Sequence, residues 1–307
     1  MSEYRLLENN FAGERVGNLF HEAAFFRLHS EGRGYYFEWS KGEQVAASVH
    51  FTPVSEGLWR SPARGTFAGF SFQSELRTEE LFAFYDAVEV ALKARGAQRL
   101  EVLPAPMAHA PIFFSNQLYL LRARGYKVTR CDLNQSLEVD TQSLSDKMSS
   151  GNQKRLRKCQ REGLGAVRLP HSSLHEVYDA LVANRKSKGH TMSMTEAQLQ
   201  TMVDTFPNAV ELFGSRDGNN LAASALCLRL SPTVLYVLYW GDRPGYGSLS
   251  PVVSLASTIY EYCQLKGVEL LDVGTSTVDS EPNFGLIRFK RGLGFTESLK
   301  VIMGKNL

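Results

Sequence analysis

The chain has 307 residues, 43% hydrophobic and 21% charged, with 34 Lys+Arg against 32 Asp+Glu for a net charge of +2. That length suits two domains of roughly 100–200 residues each, and the composition excludes a disordered tail, a collagen-like repeat and a disulfide scaffold. A net charge so near zero gives no global field to recruit nucleic acid or an acidic membrane, so any anion site must be local.

The amino end, Met1 to Asn10, carries Glu3, Arg5 and Glu8 and no apolar run, so no leader is expected. No later stretch approaches the ~18 apolar residues of a membrane span. The four cysteines, Cys131, Cys159, Cys227 and Cys263, make no CxxC pair for metal or redox chemistry. They are expected as reduced thiols in a cytoplasmic protein.

Alternation and aromatic content predict strands over residues 35–39 and 45–51, joined by the turn Lys41-Gly42-Glu43. The glycine- and aromatic-rich run Ser61-Pro62-Ala63-Arg64-Gly65-Thr66-Phe67 follows as a loop. Leu81, Phe84, Val88, Ala91 and Leu92 form the stripe of an amphipathic helix, with Glu79 and Glu80 in its first turn and Gly96 closing it. A strand over 99–103, a short helix and the pair Gly125-Tyr126 complete the first half. Residues 140–150 are polar, which places a domain boundary near 140 and predicts domains 1–139 and 140–307. The basic stretch 151–163, with Lys154, Arg155, Arg157, Lys158 and Arg161, and the stretch 173–188 both read as helices.

The second half then repeats the first. Strands over 210–214 and 221–230 flank Arg216-Asp217-Gly218, and Ala222-Ala223-Ser224 matches Ala46-Ala47-Ser48 at an offset of 176. Ser250 is expected to cap a helix with Pro251 at its first position and Val252, Leu255, Ile259, Tyr262 and Cys263 as its stripe. Gly267 answers Gly96 at an offset of 171, a strand over 268–273 follows, and Gly294-Phe295 answers Gly125-Tyr126 at 169. Offsets this close, in the same order, predict tandem α/β domains.

Four stretches give the chain a resemblance to the FemAB-like, tandem GNAT-fold acyltransferases, a family that includes acetyltransferases associated with cellulose or capsule biosynthesis. They are the basic helix from Arg155 to Leu164, Tyr239-Trp240-Gly241-Asp242 with Ser250-Pro251, Leu271-Asp272-Val273-Gly274, and Phe284-Gly285-Leu286-Ile287-Arg288-Phe289-Lys290 with Gly294-Phe295. The resemblance implies an α/β (α+β) fold of two GNAT-like domains, each a mixed central sheet flanked by helices. It also implies an acyltransferase whose active cleft lies at or near the domain interface.

Acyl transfer to an amine needs a neutral nucleophile, donors for the oxyanion and a proton for the leaving group. By the resemblance, Lys290 stands in a Phe-Lys pair used at the acceptor site, where it binds a phosphate or the developing charge; by composition it is one more cation on a solvated helix beside Arg288 and Arg291. Tyr236, Tyr239 and Trp240 line the cleft or simply pack a strand. Asp242 and Asp272, at strand ends, orient the amine, take its proton or serve as turn residues. Arg243-Pro244-Gly245-Tyr246-Gly247-Ser248 answers the coenzyme A pyrophosphate loop, although its arginine is one residue too close and Pro244 lacks an N–H. Arg64, Arg157, Lys158, Arg185 and Lys188 are candidate substrate-phosphate contacts or surface cations. His171 and His175, four apart, have no third ligand nearby, so no metal is expected.

The expected function is transfer of an acyl group, with acyl-CoA as co-substrate and no permanently bound cofactor. The expected acceptor is the amine of a small-molecule or lipid-linked amino sugar, a cell-envelope or polysaccharide precursor. The alternatives are an aminoacyl-tRNA-dependent transferase of the peptidoglycan type and a non-catalytic protein that binds a sugar nucleotide or a protein. No DNA partner is expected.

Overall fold

The computed structural model describes residues 4–11 and 17–307; Glu3, part of the amino end searched for a leader, lies outside the described residues. In chain order the elements begin β1 (Arg5–Glu8), α1 (Ala23–His29), β2 (Tyr35–Lys41), β3 (Gln44–Ser55), β4 (Leu58–Ser61) and β5 (Ser71–Phe72). Next come α2 (Thr78–Lys93), β6 (Arg99–Val102), α3 (Pro111–Ala123), β7 (Lys127–Glu138), α4 (Leu144–Lys147), α5 (Ser150–Arg161) and β8 (Ala166–Leu169). The remainder are α6 (Leu174–Ser187), α7 (Glu196–Thr205), β9 (Val210–Asp217), β10 (Asn220–Ser231) and β11 (Val234–Asp242). The chain ends with α8 (Pro251–Leu265), β12 (Leu270–Thr275), β13 (Thr277–Val278), β14 (Glu281–Pro282), α9 (Phe284–Gly292) and β15 (Thr296–Asn306).

Two compact units result, one of Met1–Leu133, Asp279–Glu281 and Ser298–Leu307, the other of Asn134–Val278 and Pro282–Glu297. The first division falls after Leu133 rather than near residue 140, and the chain end returns to the first unit. The reason is pairing: β15 runs antiparallel to β6, from Met303 opposite Val102 to Asn306 opposite Arg99.

In the first unit β1, β2, β3 and β4 are antiparallel neighbours, β5 pairs with β3, and β4 runs parallel to β6. Phe84, Val88 and Leu92 on the stripe of α2 are fully buried among Phe37, Val49, Leu100 and Met303. Each such side chain contributes roughly 1.5–3 kcal/mol by leaving water.

In the second unit the order is β7-β12-β11-β10-β9-β8, with β11 and β12 parallel and the other pairs antiparallel. Leu255, Ile259 and Cys263 of α8 are fully buried against Phe213, Leu235 and Leu271. Gly267, at φ +63, ends the helix in the left-handed region that glycine enters without a Cβ clash.

Three local expectations change. Residues 140–150 are not a bare linker, because they hold α4, whose Leu144 is buried with Met148 in the second core. Ser250 does not cap α8 through its side chain; its backbone is left-handed (φ 54, ψ 48), its hydroxyl donates to Gly247 O at 3.3 Å, and its carbonyl accepts the Val253 N–H at 3.0 Å in the turn that Pro251 opens. The loop carrying Arg64 follows a further strand, β4, that the sequence pattern does not signal.

Candidate active site

Two strands that start together and end apart create the opening in the second unit. β11 and β12 pair in parallel from Val234 opposite Leu270 to Tyr236 opposite Asp272, and there the pairing stops. β11 continues to Asp242 along β10. On β11, Val237 faces Cys227 and Tyr239 faces Leu226, which leaves Leu238 as the extra residue of a β-bulge. A bulge bends its strand and increases its twist, and this one falls just beyond the last β11–β12 pair. Backbone groups on that edge of β11 beyond Tyr236 have no strand partner among the described residues, at the carboxyl ends of two parallel strands, where α/β sheets bind ligands.

Lys290 of α9 sits at the β12 side of this opening. It is 1% exposed, and its Nζ donates to Gly274 O at 2.9 Å and Thr275 O at 3.0 Å. Burial pushes its pKa down to about 7, while the Asp272 carboxylate pulls it up. An ammonium has three donors, and two go to these carbonyls. The solvated reading of this lysine is therefore overturned: Ile287 and Lys290, three apart, share the buried face of α9, whereas Arg288 and Arg291 are outside. Asp272 is fully buried, and its Oδ1 accepts from Asn134 Nδ2 at 3.0 Å and from the Gly274 N–H at 2.7 Å.

The outer end of β11 carries Tyr239, Trp240 and Asp242. The Tyr239 hydroxyl hydrogen-bonds Ser193, and the Arg185 guanidinium lies 5.6 Å from its ring centroid. Burial raises the Tyr239 pKa, so the phenol stays protonated at neutral pH and suits an acid better than a base. Trp240 packs on Phe289 and Phe295, with ring centroids 6.3 and 6.5 Å away, and so touches the residue preceding Lys290. Asp242 is held by Asn184, whose Nδ2 donates to its backbone carbonyl at 2.6 Å and to Oδ1 at 3.2 Å, with Lys188 Nζ at 4.0 Å. Asn184 comes so close that a Cβ at position 241 would lie 2.4 Å from it, which explains Gly241.

The loop after β11 turns back on itself. Tyr246 N donates to Arg243 O at 3.2 Å and Leu249 N to Tyr246 O at 2.9 Å, with Gly245 at φ +97. Its tyrosine is tied to Asp217 by a 2.9 Å hydrogen bond, which raises the Tyr246 pKa. Arg243 is half-buried; its N–H donates to Ala222 O at 2.8 Å while its buried Nε has no partner among the described residues. Lys158 Nζ donates to Ser248 O at 3.2 Å, and Cys159 and Leu164 pack under Tyr246 and Leu249, so α5 and this loop adjoin. Gly247 and Ser248 are exposed beside that lysine.

Lys290, Asp272, Trp240, Tyr239, Asp242, Arg185 and Lys188 thus line or adjoin the two strand ends, and Lys158 joins Arg243, Gly245, Tyr246, Gly247 and Ser248. Arg157 is exposed on α5 and makes no such contact among the described residues. Arg64 belongs to the first unit, where it pairs with Glu31 at 3.1 Å with 46% of its side chain exposed. Sequence reasoning missed Asn134, Asn184 and Ser193. Asn184 carried a signal, since it falls on the apolar face of α6 with Val177, Ala180 and Leu181; Ser193 carried none.

The chain matches no protein-family model and no curated protein sequence. Among solved structures it is similar to FemX, at 14% identity and a TM-score of 0.75 over 95% of this chain and 93% of that one. It is similar to L-PGS from Bacillus licheniformis, at 14% identity and a TM-score of 0.62 over 94% and 87% of the two chains. It also resembles a tandem GNAT protein from the clavulanic acid biosynthesis pathway, at 12% identity and a TM-score of 0.58 over 99% and 98%. Among the described residues no helix is long and apolar enough to cross a membrane. The mixed parallel and antiparallel pairing within each unit, the end of pairing between β11 and β12 and these likenesses establish that the chain has the FemAB-like tandem GNAT fold.

Proposed function

We propose that the protein is an N-acyltransferase that joins an acyl group to the amine of an amino sugar, a cell-envelope or polysaccharide precursor, in the opening between β11 and β12. The observation that carries this reading is a buried lysine amine with a donor to spare, set beside an unpaired strand edge. A neutral amine of the acceptor attacks the thioester carbonyl of an acyl-CoA. The C–N bond forms, and the oxyanion is held by unpaired β11 amides and the remaining N–H of Lys290. Asp242 takes the proton from the nitrogen, the C–S bond breaks, and the Tyr239 phenol protonates the leaving thiolate. No covalent enzyme intermediate is involved.

The donor's phosphates are assigned to Lys158, Arg243 and the amides of Gly245, Gly247 and Ser248, and the acceptor's phosphates to Arg185 and Lys188. The exposed cations of α5, Arg157 among them, favour aminoacyl-tRNA as a second donor. That donor predicts binding that weakens steeply with salt. The test is a thermal-shift panel of acetyl-CoA, longer acyl-CoAs and UDP-amino sugars, followed by thiol release from the stabilising thioester. Stabilisation by an acyl-CoA with turnover supports the proposal. Stabilisation by a sugar nucleotide with no turnover from any thioester or charged tRNA makes the protein a binding member of the fold.

A further inference from the structure

In an extended strand, successive carbonyls point to opposite sides. The end of β12 departs from that rule, because the carbonyls of Gly274 and Thr275, adjacent in sequence, converge on one nitrogen, Lys290 Nζ. The departure begins at Gly274, whose φ of +73 lies in the left-handed region. A side chain two residues earlier holds that turn: Asp272 Oδ1 accepts the Gly274 N–H, the local closure that Asp residues offer a backbone. The same oxygen accepts Asn134 Nδ2 from β7. Asp272 and Asn134 are 0% and 1% exposed, so neither group has water as a substitute partner.

The far side of the turn is tied as well. Ser276 donates its hydroxyl to Gln135 Oε1 at 2.5 Å, and the Gln135 amide reaches Ile287 O on α9 at 3.4 Å, one turn before Lys290. β7 therefore braces both the strand end and the helix that meet at the amine.

We infer that Asp272, steered by Asn134, is a positioning residue for Lys290: it folds the end of β12 so that two carbonyls fix the amine and its remaining N–H faces the opening. Asp272 then acts by the shape of the turn it closes, not as a base. Only the destination of the last N–H rests on the acyl-transfer reading.

The experiment is a lysine ammonium NMR spectrum of the ¹⁵N-labelled full chain near pH 6, where a buried ammonium bonded to two carbonyls exchanges slowly enough to be seen. Lys290→Arg identifies its signal. Asp272→Asn keeps an oxygen for the Gly274 N–H and is expected to retain the signal, whereas Asp272→Ala is expected to lose it. Loss in both variants means that charge rather than the turn holds the amine, and retention in both means that nothing at position 272 does; either result overturns the inference. Should Asp272→Ala fail to fold, Asn134→Leu decides: a displaced or lost signal supports the inference, and an unchanged one overturns it. The spectrum needs no turnover, so undiminished acyl transfer by Lys290→Ala would defeat the functional reading and leave this inference standing.

Discussion

The two units solve the same stretch of backbone in opposite ways. In the first, β4 and β6 pair in parallel from Leu58 opposite Arg99 to Ser61 opposite Val102, the counterpart of β11 and β12. Beyond the last pair, however, the chain closes the gap: Leu103 N donates to Ser61 O at 2.9 Å, Ala68 N donates to Leu103 O at 2.8 Å, and Ala68 bridges Pro104. Phe67 and Phe70 are fully buried there, and Phe70 stacks on Tyr85 with centroids 3.6 Å apart. In the second unit the equivalent edge has no strand partner among the described residues, and the buried Lys290 amine stands beside it. One copy of the module packs the gap beyond its parallel pair, while the other keeps its strand ends apart.

That contrast can be broken at several points. The largest effect is expected from Phe70→Ala, which should cost about 3–5 kcal/mol of the first unit's stability, read as a lower urea midpoint. A loss as small as that of a surface substitution would mean that the first unit's gap is not truly filled. Next, Lys290→Ala should lower turnover by roughly 10²–10³-fold, the cost of removing one donor to a developing oxyanion. The assay is thiol release from the best thioester, with urea unfolding as the control for folding.

A smaller effect concerns pH and stability. Burial pushes the Lys290 pKa down to about 7 in the folded chain, against about 10.4 for an exposed lysine. Between those values the unfolded chain holds more protons, so this residue makes stability rise with pH, by on the order of 1 kcal/mol per pH unit. Lys290→Met should flatten that slope: relative to the parent it gains most below pH 7 and progressively less toward pH 10. Urea midpoints at pH 6, 8 and 9.5 check it, and parallel curves would place the amine in water. The smallest effect is expected from Arg64→Ala, because its exposed ion pair with Glu31 is worth about 0–1 kcal/mol; turnover and midpoint should both stay near the parent values.

How much of this was legible varied with the range of the interaction. The duplication could be read because Ala46-Ala47-Ser48 and Gly125-Tyr126 recur as local patterns, and Tyr126 and Phe295 are indeed both buried. The opening itself could not, because the bulge at Leu238 shows only against β10, and the end of pairing at Tyr236 shows only against β12. Lys290 hid among Arg288 and Arg291 for composition, yet helical phase with Ile287 carried the information. Asn134, Gln135 and Ser136 read as ordinary strand polarity, since their partners Asp272, Ser276 and Thr296 lie more than 130 residues away in the chain.

The return of residues 298–307 to the first unit bears on how the protein is made. Val301 and Met303 complete the core around Phe84 and Leu100. A ribosome working from the amino end therefore releases the second unit's residues before it supplies the last strand of the first. Maturation should accordingly run against the order of synthesis, with the earlier-made half waiting for residues 298–307. A nonsense codon that removes residues 298–307 would strike the half translated first.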